Sequence, residues 1–261
     1  MATRRTSGQP AGGTQSRLHG KRLRVSAPAL LELRSYAMAP GQRDVLNEMF
    51  EKHFLDAYVA AGASILGVFS NADDPDRWIW IRAFPNPAAR AKALEGFYES
   101  AAWLSRRASA NRTIRSSRDA ILLKRHAGDL EGLQVPPLSR ARRPSSLIEC
   151  TRYFLKRGED EGEVLGFIQA KALPLLKRLG AAPCLLLSRA DVPNLYPRAP
   201  LRQSPVVVSL LRFSSIDAHR RHLLARKASR EWAAVELEFA SRLKGPPESW
   251  RLQPMRRSAL R

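Results

Sequence analysis

Leu31-Glu32-Leu33-Arg34-Ser35-Tyr36 recurs later in the chain as Ile148-Glu149-Cys150-Thr151-Arg152-Tyr153, at an offset of 117 residues. Further on, the offset becomes 129 residues, and Phe84 then matches Phe213. The offset grows where one loop is longer in the second copy. A repeat of about a hundred residues is too long for a solenoid, whose repeats span roughly 20–50 residues. The pattern therefore predicts two copies of one domain that pack against each other.

The first copy has the order of elements that is typical of a split β-α-β unit. An apolar stripe at helical spacing runs over residues 46–57, and two strand-like segments flank the turn-rich stretch 71–76. We predict a strand at 29–36, a helix from 41 to 61, strands at 64–69 and 78–84, a helix at 88–106 and a strand at 119–124. This β-α-β-β-α-β order is that of a ferredoxin-like domain.

The second copy repeats this order. The predicted elements are a strand at 147–155, a helix at 161–179, strands at 183–188 and 205–213, a helix at 215–241 and a strand at 249–253. The turn between the two middle strands has become a proline-rich loop over residues 189–204. The predicted organisation is a disordered basic tail at 1–28, a first domain at 29–125, a linker at 126–145, a second, diverged domain at 146–255 and a basic C-terminal tail at 256–261.

The strand over residues 77–84 explains why such a unit would be duplicated. Trp78, Trp80 and Arg82 alternate with Ile79 and Ile81, so both faces of the strand are largely apolar. A ferredoxin-like sheet carries helices on one face, and an apolar second face needs a cover. We therefore predict an α+β fold in which two ferredoxin-like units pack sheet to sheet as a fused dimeric α/β-barrel.

Composition indicates the cellular compartment that we expect for the protein. The two cysteines, Cys150 and Cys184, fall inside predicted strands, which is typical of a reducing compartment rather than a disulfide framework. No run of eighteen apolar residues is present, and the N-terminus has no apolar signal core. We expect a cytoplasmic protein without a membrane span. Residues 1–28 carry six basic residues and no acidic one, so a mitochondrial location stays as the alternative.

The formal net charge of +20 would attract nucleic acid or an anionic surface. The sequence contains no zinc knuckle, helix-turn-helix or aromatic RNA-binding motif to support that function. Arginine greatly outnumbers lysine and alanine is abundant, which is typical of a GC-rich genome. Nucleic acid is therefore an unlikely partner.

Several short motifs of the first copy resemble the NIPSNAP family. They are the strand Glu32–Tyr36 followed by Pro40-Gly41, the helix segment 50–53, and Trp78-Ile79-Trp80. The resemblance covers residues 30–125 well and residues 147–253 weakly. It implies a ferredoxin-like fold, a dimeric barrel and a homo-oligomer. The wider superfamily includes small monooxygenases, haem-degrading enzymes and isomerases, so haem is implied by that resemblance alone, and the family itself implies no settled reaction.

Strand parity gathers the candidate ligand-binding residues. Alternation puts the polar residues of the first strand on one face, and we expect that face to point into the barrel together with the aromatic face of the strand at 78–84. The candidates, with a histidine on the apolar helix stripe, are Glu32, Arg34, Tyr36, His53, Trp78, Trp80 and Arg82. Aromatic walls with a few convergent polar groups are typical of a small-molecule pocket.

Three classes of function are compatible with these residues. The first is a protein that binds a small apolar or carboxylate-bearing ligand in a barrel cavity. The second is a monooxygenase-like enzyme, cofactor-independent or haem-dependent. The third is an interaction protein whose barrel is filled, with Glu32 and Arg34 merely paired. The remaining histidines, including His219 and His222 on a basic helix, show no metal spacing with carboxylates, so no metal site and no catalytic residue is predicted.

Deleting residues 1–28 should leave the melting temperature nearly unchanged, because this segment offers almost nothing apolar to bury. Thermal unfolding of the truncated and full-length chains measures the difference. A fall of more than about 4 °C, which corresponds to roughly 1 kcal/mol or more for a chain of this size, would show that the segment docks on the fold.

Overall fold

The computed structural model describes residues 30–130 and 133–261, and the tail predicted over residues 1–28 lies outside them. The strands are β1 (Leu30–Met38), β2 (Ser64–Asn71), β3 (Arg77–Phe84), β4 (Ile114–Ala127), β5 (Leu147–Phe154), β6 (Ala182–Arg189), β7 (Val206–Phe213) and β8 (Glu248–Pro254). The helices are α1 (Arg43–Met49), α2 (Leu55–Ala60), α3 (Pro87–Tyr98), α4 (Ala101–Leu104), α5 (Arg107–Thr113), α6 (Glu161–Phe167), α7 (Leu173–Arg178), α8 (Ile216–Ala228) and α9 (Arg230–Ala240). Turns of π-helix join α1 to α2 at Phe50–Phe54 and α6 to α7 at Ile168–Ala172, and a 3-10 turn covers Leu138–Arg140. No described helix is long and apolar enough to cross a bilayer.

The second helix predicted in each copy, at 88–106 and at 215–241, is broken in the structure. The break lies at Ser100 in the first half and at Ser229 in the second. Each serine side chain accepts a hydrogen bond from the backbone N–H of the tryptophan three residues later. A serine that caps a helix in this way starts a new helix rather than continuing the previous one. The segment predicted as one long helix therefore forms two helices in each half, α3 and α4 in the first and α8 and α9 in the second.

The eight strands close into one antiparallel barrel in the order β1-β3-β2-β8-β5-β7-β6-β4. Within each half the strands have the same order, β4-β1-β3-β2 in the first and β8-β5-β7-β6 in the second. The two halves meet where β4 pairs with β6 and where β2 pairs with β8. A closed barrel is what strands with two apolar faces predict, because closure buries the second face and removes the free edges.

The seam between β2 and β8 is short, and the C-terminal residues extend it. Three residue pairs join the strands directly. Further along β2, the backbone N–H groups of Ala259 and Leu260 both donate to the carbonyl of Leu66. Arg257 is buried and its guanidinium contacts Asp56 at 2.6 Å. Residues 256–261, predicted as a basic tail, are therefore mostly packed onto the barrel.

The interior of the barrel is filled. All eight strands contribute to one continuous cluster that contains no helical residue. Its members on the strands are mainly branched aliphatic side chains: Leu31, Leu33, Leu66, Phe69, Ile79, Ile81, Ala83, Ile121, Leu123, Ile148, Cys150, Leu185, Leu187, Val206, Val208, Leu210 and Leu252. An eight-stranded barrel is just wide enough for side chains of this size to fill. The barrel core is thus structural packing.

The prediction that Trp78, Trp80 and Arg82 point into the barrel was wrong. These residues share one face, as parity requires, but that face lies outside the barrel wall. There the two tryptophans pack with helical residues such as Phe54 and Phe97. Because both faces of β3 are apolar, alternation could not tell the inner face from the outer one. The bulky rings need the space beneath the helices, whereas isoleucines fit the narrow interior.

Gly128, at the end of β4, provides a test of the β4–β6 seam. Its φ of +96° is unfavourable for other residues, and a Cβ there would lie 1.9 Å from the Cys184 carbonyl oxygen. Gly128→Ala should lower the free energy of unfolding by about 3 kcal/mol, from backbone strain and the clash. Gly158 has a φ of +91° with open space around it. The control Gly158→Ala should cost about 1 kcal/mol in urea unfolding, and equal losses would contradict the close contact.

Candidate functional site

The register of β1 and β3 assembles six of the seven predicted site residues. In the antiparallel pair, Glu32 lies opposite Arg82, Arg34 opposite Trp80, and Tyr36 opposite Trp78. Residues directly opposite each other project from the same face of a sheet. The six side chains therefore form one layer between the first-half sheet and its helices.

The Glu32 carboxylate is the centre of this layer. It is fully buried and accepts hydrogen bonds from three arginines that are themselves buried. Arg34 Nη1 lies 2.6 Å from Oε1, Arg82 Nη2 lies 2.9 Å from Oε1, and Arg90 Nε lies 2.8 Å from Oε2. Burial alone would raise the pKa of Glu32, but the charges of Arg82, Arg34 and Arg90 hold it well below its ordinary value. One anion thus neutralises one of three cations, which leaves a buried surplus of two positive charges.

Neutral groups hold the surplus charge in place. Arg34 Nη2 donates to the Ser117 carbonyl at 2.8 Å, and Arg90 Nη1 donates to Asn194 Oδ1 at 2.9 Å. The Arg82 guanidinium lies 4.7 Å from the Trp80 ring centroid, within cation–π distance. Its Nη1 has no hydrogen-bond partner among the described residues. None of these partners carries a negative charge, so the electrostatic surplus stays in the site.

Arg90 was missed by the sequence reasoning. It lies in the first turns of α3, after the capping residue Asn86. The internal repeat offers one clue to its role. At the offset of 129 residues, Arg90 corresponds to His219. His219 Nε2 lies 2.7 Å from Glu149 Oε2, so each half pairs its matching glutamate with a residue from the same position of a helix.

A cavity of about 130 Å³ lies beside the arginine cluster. Most of its wall is aromatic, and the aromatic residues are Tyr36, Phe50, Phe54, Tyr58, Trp78, Trp80, Phe97, Tyr98 and Trp103. Asn111 and Ser117 add polar groups to the wall. An engineered apolar cavity of about 150 Å³ in another protein binds benzene, so this volume accommodates a single ring.

Tyr36 connects the cavity to the cluster. Arg34 Nε donates to the Tyr36 hydroxyl oxygen at 3.1 Å. The hydroxyl accepts this bond, so its own hydrogen is available to donate to an acceptor in the cavity. Burial raises the pKa of the neighbouring Tyr58 well above its usual value, so that phenol is also a neutral group at pH 7. The polar edge of the cavity is thus built from hydrogen-bond donors backed by positive charge.

His53 is the predicted site residue that the structure does not bring to the cavity. Phe50 and Phe54 line the cavity from the π-helical turn, whereas His53 is half-exposed and does not line it. Partial burial, and then the charges of Arg106 and Lys52, lower its pKa. Its position on the apolar stripe predicted a more central place than the structure gives it.

The second half fills the equivalent space. The offset of 129 residues places Phe239 where the first half has Ala110, which lines the cavity. Phe239 stacks on Phe167 at 5.4 Å between ring centroids and contacts Tyr153 at 5.0 Å. A phenylalanine in place of an alanine therefore occupies the volume that is open in the first half.

The histidines of α8 take part in the contacts of the second half. His219 and His222 lie on the basic helix as expected, and the structure buries both, at 1% exposed each. His222 Nδ1 contacts the Leu179 carbonyl at 2.9 Å. Arg226 Nη1 lies 3.1 Å from Glu149, so Glu149 has one arginine where Glu32 has three. Among the described residues, no group of three or more metal-binding side chains is present.

Replacing Glu32 with Gln should strongly destabilise the fold, because three buried cations then lose their anion. We expect a loss of about 3–5 kcal/mol in urea unfolding at pH 7, as for other buried ion pairs that lose one partner. Glu149→Gln is the matched control. Its loss should be smaller, because Glu149 is paired with one arginine whereas Glu32 is paired with three. Equal losses in the two variants would contradict the role of the surplus charge.

Comparison of the wild type with Glu32→Gln also gives a pH test. The folded pKa of Glu32 lies below its ordinary value, so its contribution is present above the unfolded pKa of about 4.3 and is lost as the pH falls through the folded pKa. The stability difference between wild type and Glu32→Gln should therefore shrink as the pH falls below about 4. A difference that stays constant to pH 2 would contradict this assignment.

Comparison with known proteins is consistent with this arrangement. A protein of Fusobacterium nucleatum subsp. nucleatum ATCC 25586, named for a proposed monooxygenase activity, has a similar structure, with a TM-score of 0.58 and 11% identity over 88% of this chain and 94% of that chain. An anthrone oxidase-like protein gives a TM-score of 0.59 and 14% identity over 88% of this chain and 92% of that chain. A protein named for a proposed chlorite dismutase activity gives a TM-score of 0.50 and 12% identity over 88% of this chain and 96% of that chain. At these identities the likeness shows the fold alone.

The match found by sequence comparison covers less of the chain than the structural matches do. Comparison with curated proteins finds no match. The model of the NIPSNAP family matches residues 31–126, which span β1 to nearly the end of β4 and include every residue that lines the cavity and all four residues of the Glu32 cluster. The chain therefore contains a NIPSNAP domain, formed by residues 31–126.

Proposed function

We propose that the protein binds a small planar ligand, with one ring and a carboxylate or other oxygen acceptor, in the first-half cavity. The observation that carries this proposal is the Arg34–Tyr36 hydrogen bond, which links an aromatic cavity lined by Tyr36 to a buried cluster with two surplus positive charges. The site lies outside the barrel wall, not in the barrel interior where the sequence suggested it. No catalytic residue is assigned by this proposal.

The charge of the cluster favours an anionic group on the ligand. Charges in a buried site are screened much less than charges at the surface, so the surplus acts on the neighbouring cavity. Arg34 passes this effect to the ligand through Tyr36, whose hydroxyl becomes a stronger donor when its oxygen accepts a charged hydrogen bond. The aromatic rings would bind the apolar part of the ligand by stacking.

The duplicated architecture is part of the proposal. We infer that residues 29–125 and 146–255 are two ferredoxin-like units joined by a linker at 126–145, and that the second unit supports the first. The loop between β6 and β7 favours this division of roles. In that loop, Asn194 holds Arg90, and Tyr196 stacks on Tyr98 of the cavity wall at 6.0 Å between ring centroids. A homo-oligomer and a cytoplasmic location stay as predictions.

A monooxygenase-like enzyme is the second candidate function, and the name of the Fusobacterium neighbour favours it. In that reaction class Tyr36 would donate a hydrogen bond to an oxygen of the substrate as negative charge develops there. Haem does not fit this cavity. Its volume of about 130 Å³ is too small for a haem group, although its wall includes tyrosines, which can ligate haem iron. This leaves a cofactor-independent monooxygenase-like activity as the second candidate function.

The third candidate, an interaction protein with a filled barrel, is weakened by the position of the cavity. The interior of the barrel is filled, as that hypothesis expected. The aromatic space outside the wall is open, however, because Ala110 stands where the second half has Phe239. A purely structural half would gain stability by filling this space.

Benzoate is a suitable first probe, because it has one ring and one carboxylate. Trp78, Trp80 and Trp103 line the cavity, so benzoate should change the tryptophan fluorescence in a saturable way. Tyr36→Phe should weaken binding about tenfold, because it removes one hydrogen-bond donor next to a charged group. Arg34→Met should also weaken binding, because Tyr36 loses the charged donor that orients it.

Tyr153→Phe is the matched control, since Tyr153 has the corresponding position in the second half. Its benzoate affinity should equal that of the wild type. The proposal fails if benzoate gives no saturable change, or if Tyr153→Phe weakens binding as much as Tyr36→Phe does.

A further inference from the structure

A second cleft lies at the short seam where β2 pairs with β8. Its volume is about 380 Å³, and it shares no lining residue with the aromatic cavity. The floor includes Ser70 and Gln253, which face each other in the β2–β8 pair. Arg43, Arg220 and Arg251 line it, and no acidic residue does. The first-half and second-half strands both contribute to this cleft, so it exists only in the closed barrel.

Arg143, from the linker, is held beside the cleft by neutral oxygens. It donates through Nη2 to Ser70 Oγ at 2.8 Å and to Gln253 Oε1 at 3.1 Å, and both of these side chains line the cleft. They fix the direction of the guanidinium but do not cancel its charge. Arg43 Nη1 donates to the Asn71 carbonyl at 3.2 Å, and Arg43 Nε lies 3.4 Å from the exposed carboxylate of Asp44.

All three arginines that line the cleft are paired with a carboxylate. Arg251 contacts both oxygens of Asp73, and this hydrogen bonding lowers the pKa of Asp73. Arg220 Nη1 lies 3.0 Å from Asp217, and both side chains are about two-thirds exposed. The single contacts of Arg43 and Arg220 with exposed carboxylates contribute little stability, so these two partners can be exchanged at small cost.

We propose that this cleft binds a phosphate-type oxyanion, as the free ion or as the phosphate group of a small ester. The planar guanidinium fork matches the spacing of phosphate oxygens. Arg143 supplies fixed charge, Arg43 and Arg220 turn from their exposed carboxylates to the ligand, and Arg251 keeps its pair with Asp73. The volume exceeds that of one phosphate ion, which leaves room for an organic part. Occupancy would join β2 to β8 at their three-pair seam.

Calorimetric titration of the full chain with inorganic phosphate, at constant ionic strength, tests this site. The wild type should bind phosphate saturably with one ion per chain. Arg43→Gln and Arg220→Gln should each weaken binding about tenfold, as for the loss of one charge-assisted contact. Arg178→Gln is the control, because Arg178 is an exposed arginine on α7 that pairs with Glu231 and does not line the cleft. It should bind phosphate like the wild type.

A second titration with glycerol 3-phosphate separates the two sources of the oxyanion: tighter binding than phosphate assigns an ester, and equal binding assigns the free ion. Arg220 is about two-thirds exposed, so its variant should fold even if Arg43→Gln does not. Tyr36→Phe should bind phosphate normally, which keeps this test independent of the aromatic cavity. The proposal is overturned if neither anion binds saturably, or if Arg178→Gln weakens binding as much as Arg220→Gln.

Discussion

The neutralisation of the buried arginines by Glu32 is the interaction on which the first half depends. A carboxylate on β1 reaches Arg82 on β3 and Arg90 on α3, so it ties the sheet to the helix layer above it. Without this anion three buried cations would repel one another in a medium that screens them poorly. With it, a surplus of two positive charges stays beside an aromatic cavity. The same ion cluster thus ties the sheet to the helices, and in the proposed function it favours an anionic ligand in the cavity.

The two halves of the barrel have the same strand order but different contents. In the second half, Glu149 pairs with a histidine and one arginine, and Phe239 fills the space that Ala110 leaves open in the first. The second half instead contributes Asn194 and the C-terminal segment to the surroundings of the first. The cavity lies in the first half, and the second half contributes contacts around it.

The sequence predicted the order of the elements, the closed barrel and the shared face of Glu32, Arg34 and Tyr36, because these follow from local periodicity and parity. It did not predict which face of β3 points inward, because both faces are apolar. The contact of Arg90 with Glu32 depends on how α3 crosses the sheet, which no local pattern encodes. The docking of residues 256–261 was missed for the same reason, since their contacts lie about 190 residues away in the chain.

The central claim is that an open cavity in the first half is a ligand site, and one substitution tests it directly. Ala110→Phe copies the residue of the second half and should fill the cavity while keeping the Glu32 cluster intact. Native mass spectrometry of the full chain with benzoate should show one adduct on the wild type and none on Ala110→Phe, with both proteins folded. An adduct of equal intensity on both proteins would contradict the account.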